Sequence, residues 1–125
     1  MNDADERIVQ AWNLLQKNWW AHEKVFGACE KQPQRAWRLL GRMAELASTE
    51  DLVGDLGAGP LEDFVRLHAP RFIGQIERRA KENPRFRRAL QKVYLPAAND
   101  IVSSRLFALG VISVDAKHRA KWQAG

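Results

Sequence analysis

The sequence predicts an all-α fold, a compact single-domain bundle of five to seven helices with a long N-terminal helix. Three observations carry this expectation. Apolar residues recur at steps of three and four, the spacing of one helix face. Strand signals are almost absent, with no Asn-Gly hairpin and no alternating run of any length. Proline, glycine and capping residues fall where helices should start and stop.

The first element starts at a cap on Asp3 or Asp5 and runs to about Lys31. Its stripe, Ile8, Trp12, Leu15, Trp19, His22, Phe26 and Cys29, steps alternately by four and three, the seam pattern of packed helices. Such a helix would be roughly 40 Å long, so later helices or a second copy must pack along it. Pro33 opens a second helix with Trp37, Leu40, Ala44 and Ala47 inward, widened by Leu39, Met43 and Leu46. Ser48 and Asp51 have capping-box spacing and open a short helix ending near Leu56.

The next helix begins at Pro60 with Leu61, Phe64 and Leu67 inward. Pro70 predicts a break or kink near Ala69, after which Phe72, Ile73 and Ile76 carry the apolar face to about Glu82. Asn83 caps and Pro84 opens a helix burying Phe86, Leu90 and Val93. Leu95-Pro96 interrupts again. Ala98, Val102, Leu106 and Leu109 form a last stripe, ended by Gly110. Val111 to Val114 is short and β-branched and is left unassigned, and 111–125 is expected to be a mobile tail.

The 125 residues suffice for one domain with its own core, and 46% hydrophobic content with five tryptophans argues against disorder. A lone cysteine, Cys29, fits a reducing cytoplasm. No apolar run approaches the ~20 residues that span a bilayer, so no membrane partner is expected. The acidic start, MNDADER, is the reverse of a signal peptide. Formal net charge is +5, unevenly placed. Glu50, Asp51, Asp55, Glu62 and Asp63 cluster without a base, whereas Arg71 to Lys92 holds eight bases against Glu77 and Glu82.

The stretch GDLGAGPLEDFV, Gly54 to Val65, superficially resembles a phosphate-binding loop. Such a loop needs bare backbone N–H groups, a positive helix start and usually a lysine. No Lys-Ser or Lys-Thr follows these glycines, and Glu62 and Asp63 would repel an anion. The expected role is structural. Gly57 ends the short helix in a left-handed conformation, Gly59 caps the next, Pro60 takes its first position, and Glu62 reaches back to open backbone donors.

That stretch, continued through His68, Phe72, Glu77 and the segment NPRFRRAL, resembles an uncharacterised family of small bacterial helical proteins, a domain of unknown function. Its members share a Gly-x-Gly-Pro-Leu-Glu motif and a later Pro-Arg-Phe-Arg segment. The matching residues are Gly57, Gly59, Pro60, Leu61, Glu62, Asp63, His68, Phe72, Glu77, Pro84, Arg85 and Phe86, with Trp37 upstream. The likeness covers Trp19 to Val93, and the region after Leu95 extends past the family's usual end. It implies a compact helical domain and no particular activity.

Catalytic chemistry finds little support. His22 and Cys29 are seven residues apart, roughly 10 Å along a helix, too far to share one zinc. His68, near Asp63 and Pro70, suits a local hydrogen bond, and His118 falls in the tail. His-Glu-x-x-His, Cys-x-x-Cys and Gly-x-Ser-x-Gly are all missing. No metal and no cofactor is expected, and the chain is not expected to be an enzyme.

Binding remains. Arg78, Arg79, Arg85, Arg88 and Lys92 form the candidate basic surface, with Arg85, Arg88 and Lys92 on one helical face. Two helices joined by Glu82-Asn83-Pro84 superficially resemble a helix-turn-helix, but the second carries only Gln91 to read base edges. Trp20 points well away from the Trp19 stripe. A second packing layer covering it is the readier expectation; left exposed, it is a candidate aromatic anchor. The expectation is a non-enzymatic protein that binds and occludes a protein partner, in the manner of an immunity protein, inhibitor or adaptor. The alternative is nucleic-acid binding through the Arg78–Lys92 surface, and a homodimer is open as well.

Overall fold

The computed structural model describes residues 1–13, 19–96 and 98–113. The helices are α1 (Asp3–Asn13), α2 (Trp19–Lys31), α3 (Pro33–Leu46), α4 (Glu50–Leu56), α5 (Glu62–Glu82), α6 (Pro84–Leu90) and α7 (Ile101–Ala108). A π-helical turn, Gly57–Leu61, joins α4 to α5. Two-residue strands β1 (Tyr94–Leu95) and β2 (Ile112–Ser113) pair in parallel, Tyr94 opposite Ile112 and Leu95 opposite Ser113. The all-α class therefore holds.

The single N-terminal spine does not. The rings of Trp12 and His22 are 4.1 Å apart, and those of Trp12 and Phe26 6.3 Å apart. Ten residues along one straight helix would separate them by about 15 Å. The chain folds back, and the stripe seen in the sequence is a seam whose two halves face each other. Leu15 and the side chain of Trp19, also in that stripe, lie outside what is described.

α1 is capped by Asn2, whose Oδ1 accepts the Asp5 N–H at 2.7 Å, and not by Asp3 or Asp5. Asp5, 1% exposed, instead receives Arg35 of α3 through Nε at 2.9 Å and Nη2 at 2.8 Å. Arg42 grips both oxygens of Glu6 and also Glu45, and Asn13 Nδ2 donates to the Leu46 carbonyl. These ties run in the same chain order on both helices, so α1 and α3 lie parallel.

The longest helical run is α4, the π turn and α5 together. Thr49, one residue after the expected Ser48, is its cap and accepts the Leu52 N–H at 3.1 Å. Gly57 is right-handed, with φ −68° and ψ −47°, and neither ends a helix nor turns left; Gly59 and Pro60 lie inside the π turn instead of capping a new helix. Glycine is needed at 57 because a Cβ would collide with the Ala89 carbonyl oxygen and lie 2.8 Å from the Lys92 Cβ, so α6 rests on bare backbone. Pro70 sits exposed within α5 without ending it, and Leu67, expected inward, is 52% exposed. A proline on the water side frees only a carbonyl that solvent can satisfy.

Asn83 caps α6 as expected, its Oδ1 accepting from the N–H groups of Arg85 and Phe86 at 3.0 and 3.1 Å. Gly110, with φ 97°, closes α7 as expected. Gly110 N–H bonds the Phe107 carbonyl and Val111 N–H the Leu106 carbonyl, and buried Leu106 and Val111 accompany them, a Schellman ending. That turn delivers Ile112 to the Val93 carbonyl. Of the expected tail, Val111 belongs to the helix ending and Ile112 and Ser113 to the strand pair, while 114–125 lie outside the described residues.

The core is one continuous cluster from Ile8 to Val111. Trp37 is its hub, with ring centroids of Phe64, Phe86 and Phe72 at 5.5, 5.6 and 5.8 Å. Stacked and edge-on rings at such distances add to the burial of their apolar surface.

Candidate interaction surface

The glycine motif is a structural knot. Glu62 accepts the Tyr94 backbone N–H on Oε1 at 2.8 Å and Arg66 on Oε2 at 3.3 Å, pinning β1 to α5. This is not the backward reach to helix-start donors that the sequence suggested. Asp63, half-buried, lies near enough to help raise the Cys29 thiol. Glu62 and Asp63 sit at a continuous helix interior, so there is no open helix start for an anion.

Cys29 and His68 are brought together, which sequence spacing did not reveal. The His68 Nε2 lies 2.6 Å from the Cys29 carbonyl oxygen and must donate to it. The Cys29 Sγ donates to the Pro60 carbonyl at 3.5 Å. Burial, then the charges of Asp63 and Glu30, push the thiol up to about 12. It stays protonated at neutral pH and is a poor nucleophile. His22 lies against Trp12 with the two rings tilted by 33°, and His118 lies outside the described residues. Among the described residues no three of His, Cys, Asp and Glu gather to hold a metal ion.

The five basic candidates divide. Arg79 turns inward: its guanidinium lies 3.5 Å from the Trp37 ring centroid, and Nη1 donates to the Trp37 carbonyl at 2.7 Å. Burial pushes its pKa down to about 10, which leaves it charged at neutral pH. Arg85 Nη1 donates to the Glu45 carbonyl at 2.6 Å, answering the negative end of α3. Arg88 pairs with Glu50 at 3.2 Å, near the start of α4. These three tie α5 and α6 to α3 and α4. Arg78 and Lys92 are exposed, as is Arg87, and none has an ion pair among the described residues.

Trp20 is 46% exposed, so no second layer covers it. It lies on the outer face of α2, whose other face buries Ala21, Val25, Ala28 and Cys29. Exposed on the same side are Glu23, Lys24, Glu30 and Lys31, with no ion pair among the described residues. No helix of the described residues is long and apolar enough to cross a membrane.

Fold and surface together define a compact helical domain in which several charged side chains lash helices together, and among the described residues Trp20 is the large aromatic left exposed. The chain belongs to a family of unknown function, DUF6869, which matches residues 10–111. The match is wider than Trp19 to Val93: it takes in the end of α1, all of α7 and the Gly110 turn, so the region after Leu95 is covered as far as Val111. No curated protein and no solved structure matches the chain.

Proposed function

We propose that this protein is a non-enzymatic binding module that docks a protein partner on the outer face of α2, with Trp20 as anchor, and so covers part of that partner's surface. The exposure of Trp20 carries the reading. A large, rigid aromatic ringed by charges is the usual centre of a protein interface, because it gives much contact area for little lost side-chain freedom. A buried, protonated cysteine suits a reducing cytoplasm. A photo-crosslinking amino acid at position 24, in the native host, tests this. A discrete protein adduct that disappears when Trp20→Ser is added supports it. No adduct, or one indifferent to Trp20, overturns it.

A second reading, nucleic-acid binding, rests on Arg78, Arg87 and Lys92, exposed and without an ion pair among the described residues. Arg85 and Arg88 are less clean test positions, since both already contact neighbouring helices. Retarded migration of DNA or RNA at low salt, lost on reversing Arg78, Arg87 and Lys92 to Glu and kept in Trp20→Ser, would favour this reading over the first.

A further inference from the structure

The outer face of α2 repeats itself at seven residues: Trp20, Glu23 and Lys24 are followed by Gly27, Glu30 and Lys31. At about 100° per residue these six fall within roughly 120° of arc, directly opposite the buried face. Trp20 and Gly27 run down the middle, Glu23 and Glu30 form one edge, and Lys24 and Lys31 form the other. All four charges are exposed and have no ion pair in the chain among the described residues. Gly27 has no internal reason to be glycine. A Cβ there meets nothing within 4 Å among the described residues, and its backbone is not left-handed. Helix propensity is sacrificed, and what is gained is bare backbone on an outward face.

We infer that this face seats a second copy of the chain, the two α2 helices lying parallel about a two-fold axis. The inference rests on the reading of the Trp20 face given above and names its partner. A parallel two-fold sets each helix's acidic edge against the other's basic edge: Glu23 meets Lys24 of the partner subunit, and Glu30 meets Lys31 of the partner subunit. An antiparallel pair would set Glu against Glu and Lys against Lys. The charges therefore select one orientation, as flanking charges do in paired helices. The two Trp20 side chains pack together at one end, and Gly27 lets the helices come close one heptad on. A helix of this length, about 20 Å, offers less than the roughly 800 Å² per partner of a durable complex, so association is weak and rises with concentration.

Sedimentation equilibrium of the full chain tests this. From about 10 µM to about 1 mM the apparent mass should climb from monomer toward dimer. Raising salt from about 50 mM to about 500 mM should weaken association several-fold, because opposite edges attract. Trp20→Ser should be monomeric with an unchanged melting curve. The all-acidic face (Lys24→Glu with Lys31→Glu) and the all-basic face (Glu23→Lys with Glu30→Lys) should each be monomeric alone and associate when mixed. A monomer at every concentration, association strengthened by salt, or dimers indifferent to these substitutions overturns the inference. A host protein crosslinked at position 24 of a strictly monomeric chain would overturn the dimer and leave the protein-binding reading standing.

Discussion

Arg79 holds Trp37 twice, its guanidinium 3.5 Å from the indole centroid and its Nη1 on the same residue's carbonyl oxygen. Both contacts need a flat, forked cation. Gly41, one turn further along α3, clears the space: a Cβ there would stand 2.7 Å from Arg79 Cζ. Arg79→Lys keeps the charge but cannot lie on the ring and reach the carbonyl together. It should lower stability by about 1–2 kcal/mol in urea denaturation. Full stability in the lysine variant would mean the stacking contributes nothing.

Glycines in the long helical run should respond with opposite signs. Gly57→Ala drives a methyl into the Ala89 carbonyl and should destabilise by about 1–3 kcal/mol, since rigid backbone must move. Gly74→Ala adds a methyl to open space on an exposed helical site and should stabilise by about 0.5–1 kcal/mol. Thermal melts of the pair decide the matter. Equal shifts would deny the close approach of α6.

Glu62 ties the strand pair to α5 through the Tyr94 N–H. Glu62→Ala leaves that donor without its carboxylate and should cost about 1–3 kcal/mol. Hydrogen exchange at the Tyr94 amide should quicken well before that of the core helices. Glu62→Gln, which keeps an acceptor oxygen, should retain most of the protection. If exchange at Tyr94 is the same in all three proteins, the tie is not what protects it.

The Cys29 thiol ionises ordinarily at 9.0 but only near 12 in the fold, because burial opposes the thiolate. Between those values the unfolded chain releases a proton that the native chain keeps. Stability from this group is therefore intact below pH 9.0 and lost as pH climbs toward 12, by at most about 1.4 kcal/mol per pH unit. Urea midpoints at about pH 8 and pH 10.5 should fall further in the wild type than in Cys29→Ala. Parallel losses in the two proteins would remove Cys29 as the cause.

Helical spacing made most of the fold legible. The Asn83-Pro84 start, the Trp37 face and the Gly110 stop follow from local rules that the tertiary structure respects. The N-terminal seam was legible too, but Leu14 to Asn18 contains no proline or glycine, and nothing local says that the two halves meet. Arg79 was grouped with its charged neighbours although it continues the Phe72–Ile76 stripe at the right spacing; charge hid a core-facing position. The strand pair joins segments 17 residues apart with two residues each, too little for a pattern. The Cys29–His68 pairing is purely tertiary. At the glycine motif, fully buried Leu56 and Leu61 are five apart. An α-helix would set such residues about 140° apart, so that interval was the sign of the wider turn.

The wider turn also sets which change of chain length this helix could absorb. A π turn holds one residue more than the α turn it replaces. Deleting Ala58, whose side chain is exposed, would remove that extra residue and leave the phase of α5 nearly unchanged, so Phe64 and Phe72 would still face Trp37 and His68 would still face Cys29. The cost would fall on Pro60, which would then lie inside an α-helix, with no N–H to donate and against the carbonyl one turn back. The molecule would keep its centre and strain its longest helix.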